Sequence, residues 1–170
     1  MSKLSHYDNR GAVKMVDVSA KAATERTAVA HAFVRIAPAA VRAIRRLRGP
    51  KGSPLEVARI AGIVAAKRTS ELIPLCHPLP ITHADVEASL RKNGIEISSR
   101  VTTTAQTGVE MEALTAAAIA ALTVYDMTKA LDRGMEIAEL YLVEKRGGKS
   151  GHYRRTAKGK SPKRKANDRN

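Results

Sequence analysis

Four groups of polar side chains in this 170-residue chain could do chemistry. Lys51 stands in Gly49-Pro50-Lys51-Gly52. Leu75-Cys76-His77-Pro78 combines a thiol with an imidazole. Glu110-Met111-Glu112 is followed, on the same predicted helix, by Asp126 and Lys129. Lys145 through Gly151 sets Lys145 and Lys149 among glycines. Each group has a plain structural reading beside a functional one. Asp126 and Lys129 are three apart on a helix, so their side chains can meet, but as an exposed ion pair they would contribute little. Lys51 could be a solvated lysine in a turn. His77 could be an ordinary packed or surface residue, and no further ligands stand at zinc-like spacing from Cys76 and His77, which argues against a metal site. Glu110 reads as the reciprocal partner of Thr107 in a capping box, and Glu112 as negative charge suited to a helix N-terminus. Lys145 and Lys149 could hold phosphates, since a Gly-rich backbone allows close approach; otherwise they belong to a flexible loop. Gly148-Lys149-Ser150 imitates the end of a phosphate-binding P-loop, but Val143 occupies the earlier glycine position and no helix follows, which excludes that motif.

The elements that must position these groups are legible. Residues 1–16 read as a polar loop. Around 24–36, Ala28, Ala30, Ala32 and Val34 alternate with Val29, His31 and Phe33, a strand with both faces partly covered. Pro38 opens a helix through about Leu47. Ser53-Pro54-Leu55-Glu56 is a capping box opening a helix expected to bury Val57, Ile60, Ala61 and Val64. Strands are expected at 80–91 and 95–106, joined through Asn93-Gly94, where both residues tolerate positive φ. Thr107-Gly108-Val109-Glu110 opens a long helix to about Leu131, with Gly134 beyond its end, and a last strand covers about 135–145. The order β, α, α, β, β, α, β predicts an α+β fold: a ferredoxin-like antiparallel sheet with helices packed on one face. Ala113, Leu114 and residues 116–122 make the long helix apolar nearly all round, whereas a surface helix needs one stripe. It is therefore expected to touch a second subunit as well as its own sheet.

Composition narrows the function classes. With 44% hydrophobic residues but only four Tyr, one Phe and no Trp, Ala, Val, Ile and Leu must fill the core. A lone Cys forms no internal disulfide and points to a reducing, cytoplasmic setting. No signal-peptide h-region or membrane-length apolar run is present. Of the net charge of +14, half falls after Gly151, where eight Lys or Arg face the single acid Asp168. We expect residues 1–153 to form one domain and residues 154–170 a disordered basic tail. The tail reads first as a solubilising segment, with nucleic acid contacted only non-specifically. The body remains at +7, which suits an anionic ligand. The alternative, a small basic RNA-binding module, finds few aromatics for base stacking and no RNP pattern.

Longer blocks then carry a resemblance. Ala58-Arg59-Ile60-Ala61-Gly62-Ile63, Ala65-Ala66-Lys67-Arg68-Thr69 and Leu72-Ile73-Pro74-Leu75-Cys76-His77-Pro78-Leu79 resemble the first signature block of the molybdenum cofactor biosynthesis protein C family. Thr107-Gly108-Val109-Glu110-Met111-Glu112-Ala113-Leu114-Thr115 and Tyr125-Asp126-Met127-Thr128-Lys129-Ala130 resemble the second. Met15-Val16-Asp17-Val18-Ser19 and Gly147-Gly148-Lys149-Ser150-Gly151 are similar to its ends. The resemblance spans about residues 6–153 and implies a lyase, cyclic pyranopterin monophosphate synthase. Its nucleotide substrate is a cyclised dihydro-GTP made upstream by a radical SAM GTP cyclase. Such chemistry needs acids and bases to open and reclose rings, and cations on a triphosphate while a hydroxyl attacks the α-phosphorus. By resemblance, Asp126 is the catalytic acid/base, Lys129 its cationic partner and Lys51 a second catalytic lysine. Leu75, Cys76 and His77 form a base-binding segment, and Met111 and Glu112 contact substrate, with Glu110 ranked below them. No resident cofactor is implied; magnesium could accompany the triphosphate. The family assembles as a trimer of dimers with sites at the dimer interface.

Helix geometry adds one constraint. Glu112 and Asp126 are 14 residues apart, about 21 Å along a helix axis at ~1.5 Å per residue. One nucleotide could hardly be gripped by both from one chain. If both serve one site, they come from different subunits.

Overall fold

The computed structural model describes residues 4–47, 53–149 and 151–156. Its elements are β1 (Thr24–Arg35), α1 (Pro38–Arg46), α2 (Pro54–Lys67), α3 (Thr69–Leu72), β2 (Ile81–Arg91), β3 (Gly94–Ala105), α4 (Glu110–Thr128), β4 (Glu136–Arg146) and β5 (Tyr153–Arg154). The strands form one antiparallel sheet in the order β2-β3-β1-β4-β5. Its first four positions have the ferredoxin-like order, and the short β5 extends the edge. Lys51 falls outside the described residues, as do residues 157–170. Arg154 pairs with Glu144 across β4–β5, and the Arg155 guanidinium lies 4.3 Å from the Tyr141 ring centroid.

Alternation in β1 decides which face is covered. Ala28, Ala30, Ala32 and Val34 are buried and lie in register with Val101, Ser99, Ile97 and Ile95 of β3. The Ser99 hydroxyl donates to the Ala113 carbonyl of α4 at 2.7 Å, so this is the face that carries the helices. On the other face Val29 is buried, while His31 and Phe33 are half-buried.

Helix α2 departs from its expected orientation. Val57, Ile60 and Val64 are 37%, 51% and 44% exposed, and Ala58, Gly62, Ala65 and Ala66 are buried instead. The cause is distance. A Cβ on Gly62 would stand 2.8 Å from the Ala116 carbonyl oxygen of α4 and 3.0 Å from a Val86 methyl carbon. The two helices meet through their smallest residues, which turns the bulky ones outward. The Ser53 hydroxyl accepts from the Leu55 N–H at 3.3 Å, but Glu56 pairs with Arg59 rather than completing the capping box.

Other boundaries also shift. Helix α4 begins at Glu110 with Val109 as its N-cap and no side-chain cap bond, so the expected Thr107–Glu110 capping box is not formed. The helix ends at Thr128, three residues earlier than expected. Ala113, Ala116, Ala117, Ala120, Ala121 and Val124 are fully buried between the sheet and α2. Most of the apolar circumference that suggested a second subunit is therefore covered within the chain; Met111, Leu122 and Met127 remain exposed. In the hairpin, Arg91 pairs with Gly94, so Lys92 and Asn93 form the two-residue connection, and neither has positive φ. Gly94 is required for space, since a Cβ there would stand 2.3 Å from the Val34 carbonyl oxygen.

The tight α2–α4 contact predicts the effect of filling it. Gly62→Val should destabilise the fold by about 1–3 kcal/mol, the usual cost of overpacking, read as a lower urea midpoint. An unchanged midpoint would mean that the helices separate at little cost.

Candidate functional site

At the end of the sheet where β1 begins and β3 and β4 finish, a cleft of about 1010 Å³ opens beside the N-terminus of α4. Its walls include Leu75, Cys76 and His77 from the α3–β2 connection and Thr107 through Glu112 from the β3–α4 junction. Lys145 through Lys149 close another side, and Lys21, Arg26 and the Ser5–His6 segment complete it. The volume stands at the upper limit of the usual range for small-molecule sites, roughly 300–1,000 Å³.

Local structure explains the placement. The buried Thr69 hydroxyl lies 3.2 and 3.1 Å from the Ala65 and Ala66 carbonyls, which ties α3 to the end of α2. The Cys76 N–H donates to the Ile73 carbonyl at 3.0 Å, turning the chain so that Leu75, Cys76 and His77 face the cleft. Across β1–β4, Lys145 pairs with Ala28 on the helix-bearing face. Its ammonium thus meets the start of α4 and donates to Glu110 Oε1 at 2.8 Å. Gly147 and Gly148 follow with φ of +91° and +74°. Any side chain at Gly147 would also strike the Glu25 carbonyl oxygen, 2.2 Å from an ideal Cβ.

The predicted residues separate into two places. Leu75, Cys76, His77, Glu110, Met111, Glu112, Lys145 and Lys149 all line the cleft. Asp126 and Lys129 do not. They sit at the far end of α4, both exposed, joined by a 2.6 Å ion pair. The Asp126 carboxylate holds the Lys129 ammonium above the usual lysine range. Among the described residues, no group of three or more His, Cys, Asp or Glu side chains could hold a metal ion.

Sequence reading missed Arg26. Its Nε donates to the Ala105 carbonyl at 2.9 Å and its Nη2 to the Gln106 carbonyl at 3.1 Å, clamping the end of β3 beneath the cleft. The available signal was parity: Arg26 shares the alternating face of Ala28 and Ala30, an unusual place for a charge. Lys21 also lines the cleft, and nothing in its spacing marks it.

Two titrating groups that line the cleft are displaced. Glu112 is only 4% exposed, and burial pushes its carboxyl up to about 7, aided by the Glu110 charge and opposed by a hydrogen bond to its own backbone. Burial, reinforced by Glu112, raises the Cys76 thiol above its usual range. The cleft thus joins several cations to a carboxyl that can hold a proton near neutrality, a combination suited to an anionic substrate that undergoes proton transfers.

Residues 15–148 match the sequence model of the MoaC family. The chain belongs to that family. It is 55% identical over 157 residues to the cyclic pyranopterin monophosphate synthase of Thermomicrobium roseum, covering 91% of this chain and 95% of that protein. It is 54% identical over 155 residues to the protein of the same name from Heliobacterium modesticaldum, covering 90% and 98% respectively. The family match takes in both regions identified in the structure, the cleft at the start of α4 and the ion pair at its end. Among the described residues, no helix is long and apolar enough to cross a membrane.

The raised Glu112 carboxyl predicts a pH-dependent stability. Its folded value of about 7 exceeds the ordinary 4.5, so the fold binds the proton more tightly than the unfolded chain does. Stability should fall as pH rises from about 4.5 to about 7 and level off above. By linkage the loss is at most roughly 3 kcal/mol from this group. Glu112→Gln stays neutral throughout, so its urea midpoint relative to the unsubstituted protein should rise between pH 5 and pH 8. A pH-independent difference would show that Glu112 titrates normally.

Proposed function

We propose that this chain is a cyclic pyranopterin monophosphate synthase of molybdenum cofactor biosynthesis. Its substrate is the cyclised dihydro-GTP supplied by a radical SAM enzyme, and its products are cyclic pyranopterin monophosphate and diphosphate. The observation that carries this reading is the convergence, in one cleft, of Leu75–His77, Met111–Glu112 and Lys145–Lys149, within a chain closely related to proteins of that name.

The geometry supports a division of labour. Leu75, Cys76, His77 and Met111 offer a partly apolar wall with backbone groups for the base. Lys145 and Lys149, next to glycines that let the backbone approach closely, meet the phosphates. When the substrate hydroxyl attacks the α-phosphorus, a new P–O bond forms, the bond to the β-phosphate bridge breaks and diphosphate leaves. Cations stabilise the charge on that leaving group. Magnesium, where present, travels on the triphosphate and belongs to the substrate.

Asp126 and Lys129 supply acid/base chemistry in this reading, with Lys51 as a second catalytic lysine. The length of α4 separates Asp126 and Lys129 from the cleft of their own chain, so they serve the cleft of a neighbouring subunit. The shared site fits an assembly of dimers, three of which make the full particle. The exposed Val57, Ile60 and Val64 on α2 and Leu122 on α4 provide apolar surface for subunit contacts.

The direct check is turnover of the cyclised substrate by the purified chain, followed by chromatography of the pterin product. Asp126→Ala and Lys129→Ala should each lower the rate by ~100-fold or more while leaving the melting temperature nearly unchanged, because both side chains are exposed. Near-normal turnover by either folded variant would remove that residue from the mechanism.

A further inference from the structure

Away from the cleft, a groove of about 490 Å³ lies between α1 and the β2–β3 hairpin, and the two share no lining residue. Pro38, Val41, Arg42 and Arg45 stand three and four residues apart, so they share one face of α1 and form one wall. Leu90, Arg91 and Lys92 form the other. Val41 is buried in the core and Leu90 packs against that core half-buried, which gives the groove an apolar floor. Arg42, Arg45 and Lys92 are exposed around it.

Acids do not offset this charge. Arg91 is paired with Glu96 across the hairpin, but among the described residues no hydrogen bond or ion pair engages the side chains of Arg42, Arg45 or Lys92. Helix α1 itself carries no Asp or Glu. Asp132 meets the start of α1, yet its carboxylate is spent on backbone: Oδ2 accepts from the Ala37 N–H and Oδ1 from the Gly134 N–H, each at 2.8 Å. Arg45 alone would suit the negative end of a helix. Arg42 stands a turn earlier and Lys92 comes from another element, so the helix end does not account for the cluster.

We propose that this groove docks an acidic segment of another protein, one that sets an aliphatic side chain over Val41 and Leu90 while its carboxylates meet Arg42, Arg45 and Lys92. Guanidinium groups hold carboxylates through paired hydrogen bonds, and a lysine adds a mobile point charge. The floor selects among polyanions. A nucleic acid would bring bases, but no aromatic ring lines the groove for them to stack on, and its sugar–phosphate chain has no aliphatic group for the floor. A membrane surface is entered by protruding apolar side chains, whereas Val41 is buried. A second copy of this chain, with a net charge of +14, is a poor source of an acidic segment.

Fluorescence anisotropy on the full chain tests this with a short labelled peptide in which a leucine stands between pairs of glutamates. Turnover is not read, so the outcome stands apart from the synthase reading. The unsubstituted protein should bind the peptide, and Arg42→Glu/Arg45→Glu should weaken binding by about tenfold or more, because reversed charges repel it. Lys67→Glu/Arg68→Glu makes the same change of charge at exposed positions outside the groove and should alter affinity by less than about twofold, since distant surface charges are screened. Serine in place of the peptide's leucine should weaken binding by about threefold or more, because the floor loses its aliphatic contact. Lys92→Glu should cost about threefold or more as well, which keeps the idea testable if the arginine variant folds poorly. No binding by the unsubstituted protein, equal losses in the two charge-reversed pairs, or indifference to the leucine would each overturn the proposal. Tighter binding of a labelled oligouridylate or of phosphatidylserine vesicles, lost in Arg42→Glu/Arg45→Glu, would overturn it in favour of RNA or a membrane. A smaller assembly mass in that variant would assign the groove to a second copy instead.

Discussion

The rest of the structure depends on the close contact of α4 with its surroundings. Nineteen residues of helix, about 28 Å at ~1.5 Å each, run between the sheet and α2 on a lining of alanines. Because the contacts are alanine against glycine and backbone, neither helix can tilt or slide without steric conflict. The two ends of α4 are thereby held a fixed distance apart. One end opens into a cleft with cations and a buried carboxyl, and the other presents an Asp–Lys pair to solvent. A single chain has no means of folding one onto the other.

In the proposed reading that rigidity divides the chemistry between two chains. The cleft residues come from places where several elements end together: the α3–β2 connection, the β3–α4 junction and the glycine turn after β4. Such junctions expose backbone groups and tolerate glycine, both useful for gripping a nucleotide. The Asp126–Lys129 pair instead sits on a regular helix end, where its 2.6 Å contact comes from i,i+3 spacing alone. In isolation this is an ordinary surface ion pair; its value to catalysis depends on what a neighbouring subunit brings to it. The acid–base balance of the cleft is a second consequence, since burial at the start of α4, aided by the Glu110 charge, pushes the Glu112 carboxyl up to about 7.

Much of this was legible from residue order. Alternation in β1 separated its two faces without telling which one carries the helices, and Pro38 and Ser53 marked helix starts. The Cys76-His77 and Glu110-Met111-Glu112 groups were recognisable as parts of one site through the family blocks around them. Where local rules failed, tertiary distance had overruled them. Val57, Ile60 and Val64 have the spacing of a core stripe, but the approach of α4 admits only Ala58, Gly62 and Ala65. Glu110 satisfies a capping pattern on paper, yet an ammonium across the cleft is a stronger partner than a backbone N–H. Gly94 looked like a turn glycine and instead makes room for the Val34 carbonyl. For Arg26 the parity of β1 marked a charge on the face of Ala28 and Ala30, but its partners, carbonyls roughly eighty residues away, lie beyond any local pattern.

The central claim is that a working site joins the cleft of one chain to the far helix end of another. Mixing Glu112→Ala chains with Asp126→Ala chains tests it most directly. In a mixed dimer both lesions can fall in one site and leave the other intact, so activity should reappear from two inactive proteins, up to about one intact site per heterodimer. If mass spectrometry confirms subunit exchange and no activity returns, the shared site is contradicted.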